Sequence, residues 1–295
     1  MTSRYFRIRG FIVLSLAMTL LLLGCTAPAA ATPEPTSLSP SPTPEPTSLP
    51  PSPTPQPTTP PPTVTPKLPD KILFVGNSFT YQHKLDLLTK QLVGSSNPPL
   101  NIEAESVVRP GASLEKMWEL TNAPEAIKEG DYDVVVLQGD IPESDVETFQ
   151  EYARKFVEEI NKAGAEPVLF MAWSYERLGW ITMDEIAQAH FDIAMELGVD
   201  VAPVGLAWQQ AMKERPELDM YSSDGEHPSI YGSYLAVNVV YATVFGESPV
   251  GLAYRPPEKI YPLSNGGYTQ GVTDEDAAFL QRIAWETVQE YQAQQ

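Results

Sequence analysis

The stretch that most restricts how this chain can fold is Lys71-Ile72-Leu73-Phe74-Val75-Gly76-Asn77-Ser78-Phe79-Thr80. Ile72 to Val75 is an unbroken apolar run, the pattern of a strand buried on both faces, and such strands belong to parallel sheets covered by helices on either side. Gly76 ends the run. From Tyr81 to Val93, Leu85, Leu88 and Leu92 recur at helical spacing, so the stretch predicts a strand, a tight turn and a helix. That order puts Ser78 at the carboxyl edge of a sheet, where open α/β sheets bind ligands. It also puts Ser78 at a helix N-terminus, whose free N–H groups and partial positive charge suit a developing oxyanion. Ser78 there is either a nucleophile or a plain N-cap.

The chain downstream repeats the alternation. Strands are predicted over Leu100–Val108, Asp133–Leu137, Pro167–Met171 and Val199–Pro203. Helices are predicted after Ser113 and over Pro142–Ala163, Met183–Leu197, Leu206–Lys213, Ile230–Val244 and Asp274–Tyr291. Five strands alternating with helices make a mostly parallel sheet with helices on both faces. In the second strand Glu103 and Glu105 alternate with Ile102 and Ala104, the signature of a sheet edge.

The N-terminal part reads differently. Arg4, Arg7 and Arg9 precede an apolar run from Phe11 to Leu23, an export signal too short for the roughly 18–20 residues of a membrane span. It closes on Leu22-Leu23-Gly24-Cys25, which resembles the bacterial lipoprotein cleavage box and implies cleavage before Cys25 and lipid on its sulfur. Cys25 is the single cysteine of the chain, which excludes an intrachain disulfide and any cysteine-based metal site. Residues 26–69 hold 17 of the 30 prolines, with an eleven-residue unit, PEPTSLSPSPT, repeated at Pro44 as PEPTSLPPSPT. So little apolar surface cannot build a core. The expectation is an extended spacer, reaching on the order of 100 Å at about 3.1 Å per residue. The chain therefore divides into a signal peptide (1–24), a lipidated Cys25 with a disordered linker (25–69) and a folded domain (70–295). Net charge is −19, and loss of the three leader arginines makes it about −22. That acidity argues against nucleic acid as a partner and leaves the lipid on Cys25 as the link to a membrane.

A second stretch gives Ser78 its partners: Asp224-Gly225-Glu226-His227. A serine hydroxyl needs a base, histidine is the side chain best matched to that work, and the base needs an acceptor on its other nitrogen. Asp224, three residues before His227, can supply it from the same loop; as a turn residue it would only bond its own backbone. Glu226 is a rival acid with poorer reach. Of the other two histidines, His83 is an alternative base aimed away from the turn, and His190 is mid-helix among apolar neighbours. A metal site lacks further ligands at any usual spacing. Trp173, Tyr175 and Trp180 follow the fourth strand on the edge that carries Ser78, either as pocket lining or as packing.

In motif order from Lys71 to Phe245 the chain resembles the SGNH, or GDSL-type, hydrolase superfamily. Gly76-Asn77-Ser78 stands where that family has Gly-Asp-Ser. Gly111 follows the second strand where the family has a glycine whose N–H faces the oxyanion. Gln138, in Leu137-Gln138-Gly139-Asp140, stands where it has an asparagine, and Asp224 and His227 keep its Asp-x-x-His order. The resemblance implies a three-layer α/β/α sandwich of flavodoxin-like type. It implies a catalytic Ser78, His227 and Asp224, and an oxyanion hole of Ser78, Gly111 and Gln138. No cofactor is implied. Read locally, Gly111 could equally be a turn glycine and Gln138 a strand-end side chain bonding a loop. The implied activity is hydrolysis of small-molecule or glycan esters at the cell envelope. A binding module on the same fold and an acyltransferase to sugars are the alternatives. The sequence leaves the oligomeric state open.

Overall fold

The computed structural model describes residues 68–256 and 271–295. The leader, Cys25 and the proline-rich repeats lie outside the described residues. Strands β1 (Lys71–Gly76), β2 (Glu103–Val108), β3 (Val134–Gln138), β4 (Glu166–Phe170) and β5 (Asp200–Ala202) form one sheet. Their order is β2-β1-β3-β4-β5, and every neighbouring pair is parallel. β2 is an edge strand, as its alternating glutamates predict. From β1 the chain moves outward to β2 and then returns to the other side of β1 with β3. The crevice between the carboxyl ends of β1 and β3 is thus the switch point, the place where ligands bind in open α/β sheets.

Both sheet faces are apolar because the central strands are apolar at nearly every position. Successive side chains alternate between faces. Ile72, Phe74, Val136 and Phe170 pack into one core, and Leu73, Val75, Leu137 and Leu169 into the other. Burying each such side chain contributes about 1.5–3 kcal/mol. Helices α2 (Leu85–Val93), α7 (Val204–Glu214), α8 (Ile230–Phe245) and α9 (Asp274–Gln292) cover mainly the first face. Helices α3 (Leu114–Leu120), α4 (Ala123–Glu129), α5 (Val146–Ala163) and α6 (Met183–Leu197) cover the second. This is the three-layer sandwich. α8 is apolar nearly all round and correspondingly buried on nearly every side.

Three local details depart from the expected elements. The helix after Ser78 is broken: α1 (Ser78–Tyr81) is a single turn, Lys84 takes φ 52°, and α2 starts at Leu85. The break lets His83 turn into the core, where Nδ1 lies 2.7 Å from Ser233 Oγ. The helix expected from Pro142 begins at Val146, because Pro142 belongs to a 3₁₀ turn and Asp145 caps the helix through Thr148 N–H at 2.7 Å. α4 was not expected; its two short turns carry Pro124 at their start, too brief a pattern to read.

Candidate active site

Ser78 is delivered by the turn that ends β1. A side chain at Gly76 would put Cβ 2.4 Å from Thr80 Oγ1 and 2.6 Å from Gln138 Oε1, so only glycine lets the turn fold back onto β3. Asn77, fully buried, caps α1 by accepting Phe79 N–H at 3.0 Å. Its own N–H donates to Gln138 Oε1 at 2.8 Å, and its Nδ2 donates to Ala112 O at 3.3 Å and to Asp140 Oδ2. Ser78 itself is 6% exposed. Its hydroxyl makes no hydrogen bond among the described residues. Because α1 is one turn long, its dipole carries little of the oxyanion argument. What remains are N–H groups: those of Ser78 and Gly111 have no acceptor among the described residues. Gly111 sits in the exposed turn after β2 at φ 60°, and Asn77 ties that turn to Ser78 through Ala112.

The loop before α8 carries the other two residues. Gly225, at φ 68°, closes a tight turn in which Ser222 N–H donates to His227 O at 2.7 Å. Asp224 Oδ1 accepts the N–H of His227 at 2.9 Å and of Glu226 at 3.0 Å, while Oδ2 lies 2.8 Å from His227 Nδ1. Burial pushes the Asp224 carboxyl up, but the two N–H donors and the ring outweigh it and hold it below its ordinary value. With Nδ1 engaged, Nε2 is the ring nitrogen left for chemistry. The His227 ring meets Phe79, the neighbour of Ser78, edge-on at 5.8 Å between centroids. Glu226 is taken up elsewhere: its carboxylate pairs with Arg177 Nε at 2.6 Å, and its carbonyl accepts Trp173 Nε1–H at 2.9 Å.

Gln138 is 1% exposed. Its Nε2 donates to Gly139 O at 3.1 Å and its Oε1 accepts from Asn77 N–H and Thr80 Oγ1–H, so it braces the turn from below. One of the two N–H groups of its amide is thus engaged, and the other makes no hydrogen bond among the described residues. The aromatic trio divides. Trp173 is buried in a stack running from Phe79 (4.7 Å) to Trp208 (3.9 Å). Tyr175 is buried and donates to Asp140 Oδ1 at 2.6 Å. Trp180 alone of the three is exposed, at 52%. A cavity of about 260 Å³, lined by Trp173, Glu176, Trp208 and Tyr221 among others, adjoins the His227 loop through Glu176 N–H, which bonds Gly225 O at 2.9 Å. A larger one, about 530 Å³, opens at the amino edge of the sheet among Asp133, Glu166 and Asp200, the opposite end of the strands from Ser78.

No protein-family model and no curated protein matches the chain. Among solved structures, a DUF4886 family protein from Bacteroides uniformis is 17% identical with a TM-score of 0.57, covering 74% of this chain and 94% of that one. A candidate SGNH hydrolase from Slackia heliotrinireducens is 24% identical with a TM-score of 0.49, covering 59% of this chain and 97% of that one. An acetylxylan esterase from Geobacillus stearothermophilus is 16% identical with a TM-score of 0.48, covering 58% and 92%. The chain shares its fold with the Bacteroides uniformis protein.

On this fold the switch-point crevice gathers Ser78 and Asp140 from the ends of β1 and β3. Asp140 is a residue that the motif reading quoted but gave no role. Only 3% of it is exposed, and burial pushes its carboxyl up to about 6 against the pull of Tyr175 and Asn77. The signal for it was its place directly after the third strand. What hid it was that its partners, Asn77 and Tyr175, stand 63 and 35 residues away. His83 and His190, both buried, are held down to about 4 by that burial. His190 bonds its own helix at Ile186 O, 2.9 Å away.

Proposed function

We propose that the domain is a serine hydrolase of carboxylic esters, with Ser78 as nucleophile, His227 as general base and Asp224 as its orienting acid. The observation that carries this is the His227 Nδ1–Asp224 Oδ2 contact of 2.8 Å in a loop that brings the ring against the residue next to Ser78. Ser78 Oγ attacks the ester carbonyl carbon while His227 Nε2 takes the hydroxyl proton. Asp224 keeps the proton on Nδ1 and stabilises the imidazolium. The N–H groups of Ser78 and Gly111 receive the tetrahedral oxyanion. Collapse breaks the bond to the alcohol, which leaves with the proton from His227. Water, deprotonated by the same ring, then cleaves the acyl-enzyme and restores Ser78.

The surroundings bear on the substrate. Glu143 and Glu226 lie close enough to act on Asp140, and Arg177 pairs with them at 2.7 Å and 2.6 Å, while Arg109 and Lys116 belong to the Gly111 side of the crevice. A net charge of −19 disfavours anionic esters. With the export signal, Cys25 and the proline-rich spacer, this supports an envelope-anchored enzyme removing small acyl groups from neutral extracellular glycans. Ser78→Ala and His227→Ala should each abolish turnover of p-nitrophenyl acetate and of acetylated glycans by the purified full chain. The double variant should be little worse than either, because the two act as one unit. An organophosphonate should label Ser78 alone. Wild-type activity in Ser78→Ala would place the nucleophile elsewhere. A wild type that neither turns over esters nor takes the label is a binding module.

A further inference from the structure

The crevice holds a buried polar chain that the proposed reaction does not use. Asn77 Nδ2 donates to Asp140 Oδ2, and Tyr175 Oη–H donates to Asp140 Oδ1 at 2.6 Å. Asn77 is 0%, Asp140 3% and Tyr175 4% exposed. Taking a carboxylate this far out of water costs several kcal/mol unless the surrounding bonds return it, and two hydrogen bonds are what Asp140 receives. The same Asn77 amide also reaches Ala112 O, in the turn that carries Gly111. One side chain thus links the nucleophile turn to the second N–H of the oxyanion site, and Asp140 clamps it from the end of β3. Tyr175, from the segment after β4, completes the clamp and stacks edge-on at 5.5 Å against Phe79, beside Ser78.

We infer that Asp140 is a positioning residue, an acceptor that holds the Asn77 amide and so aligns Ser78 with the Gly111 turn, with Tyr175 keeping its carboxylate in place. This rests on Ser78 being the nucleophile. The clamp works by donor and acceptor matching, so it can be inverted. Asp140→Asn keeps an acceptor for Asn77 and turns its own NH₂ toward Tyr175 Oη. Asn77→Asp instead sets two carboxylates face to face. Asn77→Asp combined with Asp140→Asn restores a matched pair with the polarity reversed. The amide now at position 140 donates to the carboxylate now at position 77 and accepts from Tyr175, although the bond to Ala112 is not recovered.

The experiment measures kcat and KM on p-nitrophenyl acetate and the rate of phosphonate labelling of Ser78. It uses the wild-type full chain, Asp140→Ala, Asp140→Asn, Asn77→Asp and the double variant, each checked for a cooperative melt. Asp140→Ala should lower kcat about 10²-fold, the effect of a misplacement on the order of 1 Å, with KM within about twofold because no substrate contact is lost. Asp140→Asn should stay within about fivefold of wild type in kcat. Asn77→Asp should fall as far as Asp140→Ala, and adding Asp140→Asn should recover at least about tenfold of that loss, a coupling that only contacting residues show. Folded Asp140→Ala with wild-type kcat overturns the inference. So does a double variant no better than Asn77→Asp. If Asn77→Asp does not fold, the contrast between Asp140→Ala and Asp140→Asn decides alone. A wild type that takes no label at Ser78 would instead overturn the nucleophile assignment on which the clamp depends.

Discussion

Two carboxylates near Ser78 are driven in opposite directions by their surroundings. Asp224 gathers two backbone N–H donors and a ring, and sits below its ordinary value. Asp140 is buried between Tyr175 and Asn77 and is pushed up to about 6 from 3.8. The folded state therefore holds the Asp140 proton more tightly than the unfolded chain does. Its contribution to stability is fully present below the unfolded value of 3.8 and is lost as pH rises through about 6. Asp140→Asn carries no charge to bury and should lose that pH dependence. In urea unfolding, the variant should gain on the wild type by on the order of 2–3 kcal/mol between about pH 3.5 and pH 7.5, at roughly 1.36 kcal/mol per pKa unit. An equal difference at the two pH values would mean that Asp140 titrates normally. Asp224→Asn belongs to the same scale. In the proposed mechanism it leaves Ser78 and His227 in place but removes the acceptor that fixes the His227 tautomer, so turnover should fall steeply while residual labelling of Ser78 survives.

At the scale of elements, the junction of β1 with α1 is the most constrained. The turn passes so close to β3 that Gln138 both accepts from Asn77 N–H and fills the space beside Gly76. Gly76→Ala should destabilise the domain by about 1–3 kcal/mol, the usual cost of overpacking, and should lower turnover by more than that loss explains, because the displaced atoms belong to the Ser78 turn. A thermal melt together with the kcat of the folded fraction checks both parts. The aromatic stack from Phe79 through Trp173 to Trp208 plays the matching part under the His227 loop, since the Trp173 indole N–H holds the Glu226 carbonyl. That contact joins the segment after β4 to the loop that carries His227.

For the whole molecule, the distribution of apolar residues is decisive. The described residues hold two continuous cores, one on each face of the sheet, whereas the proline-rich segment has almost nothing to bury. Deleting residues 26–66 should leave the melting temperature of the domain within about 2 °C and soluble-ester turnover unchanged, since no core is removed. A large drop would mean that the segment packs on the domain. Cys25→Ala should leave the protein uncleaved and without lipid, which mass spectrometry of the membrane fraction would show.

Much of this protein was legible without coordinates because local chemistry is written in local sequence. An apolar run of four residues ended by glycine specified β1 and its turn, and the alternation of five strand patterns with helical periods specified a parallel sheet. Asp224 and His227 were readable as a pair because they lie three positions apart in one loop. Tertiary structure decided the remainder. The break at Lys84 depends on His83 finding Ser233, 150 residues away. That Gln138 braces the nucleophile turn depends on the position of Asn77, 61 residues away. Asp140 acquired a role only when three strand ends met in one crevice, for burial and hydrogen-bond partners are properties of the assembled fold and have no period in the chain.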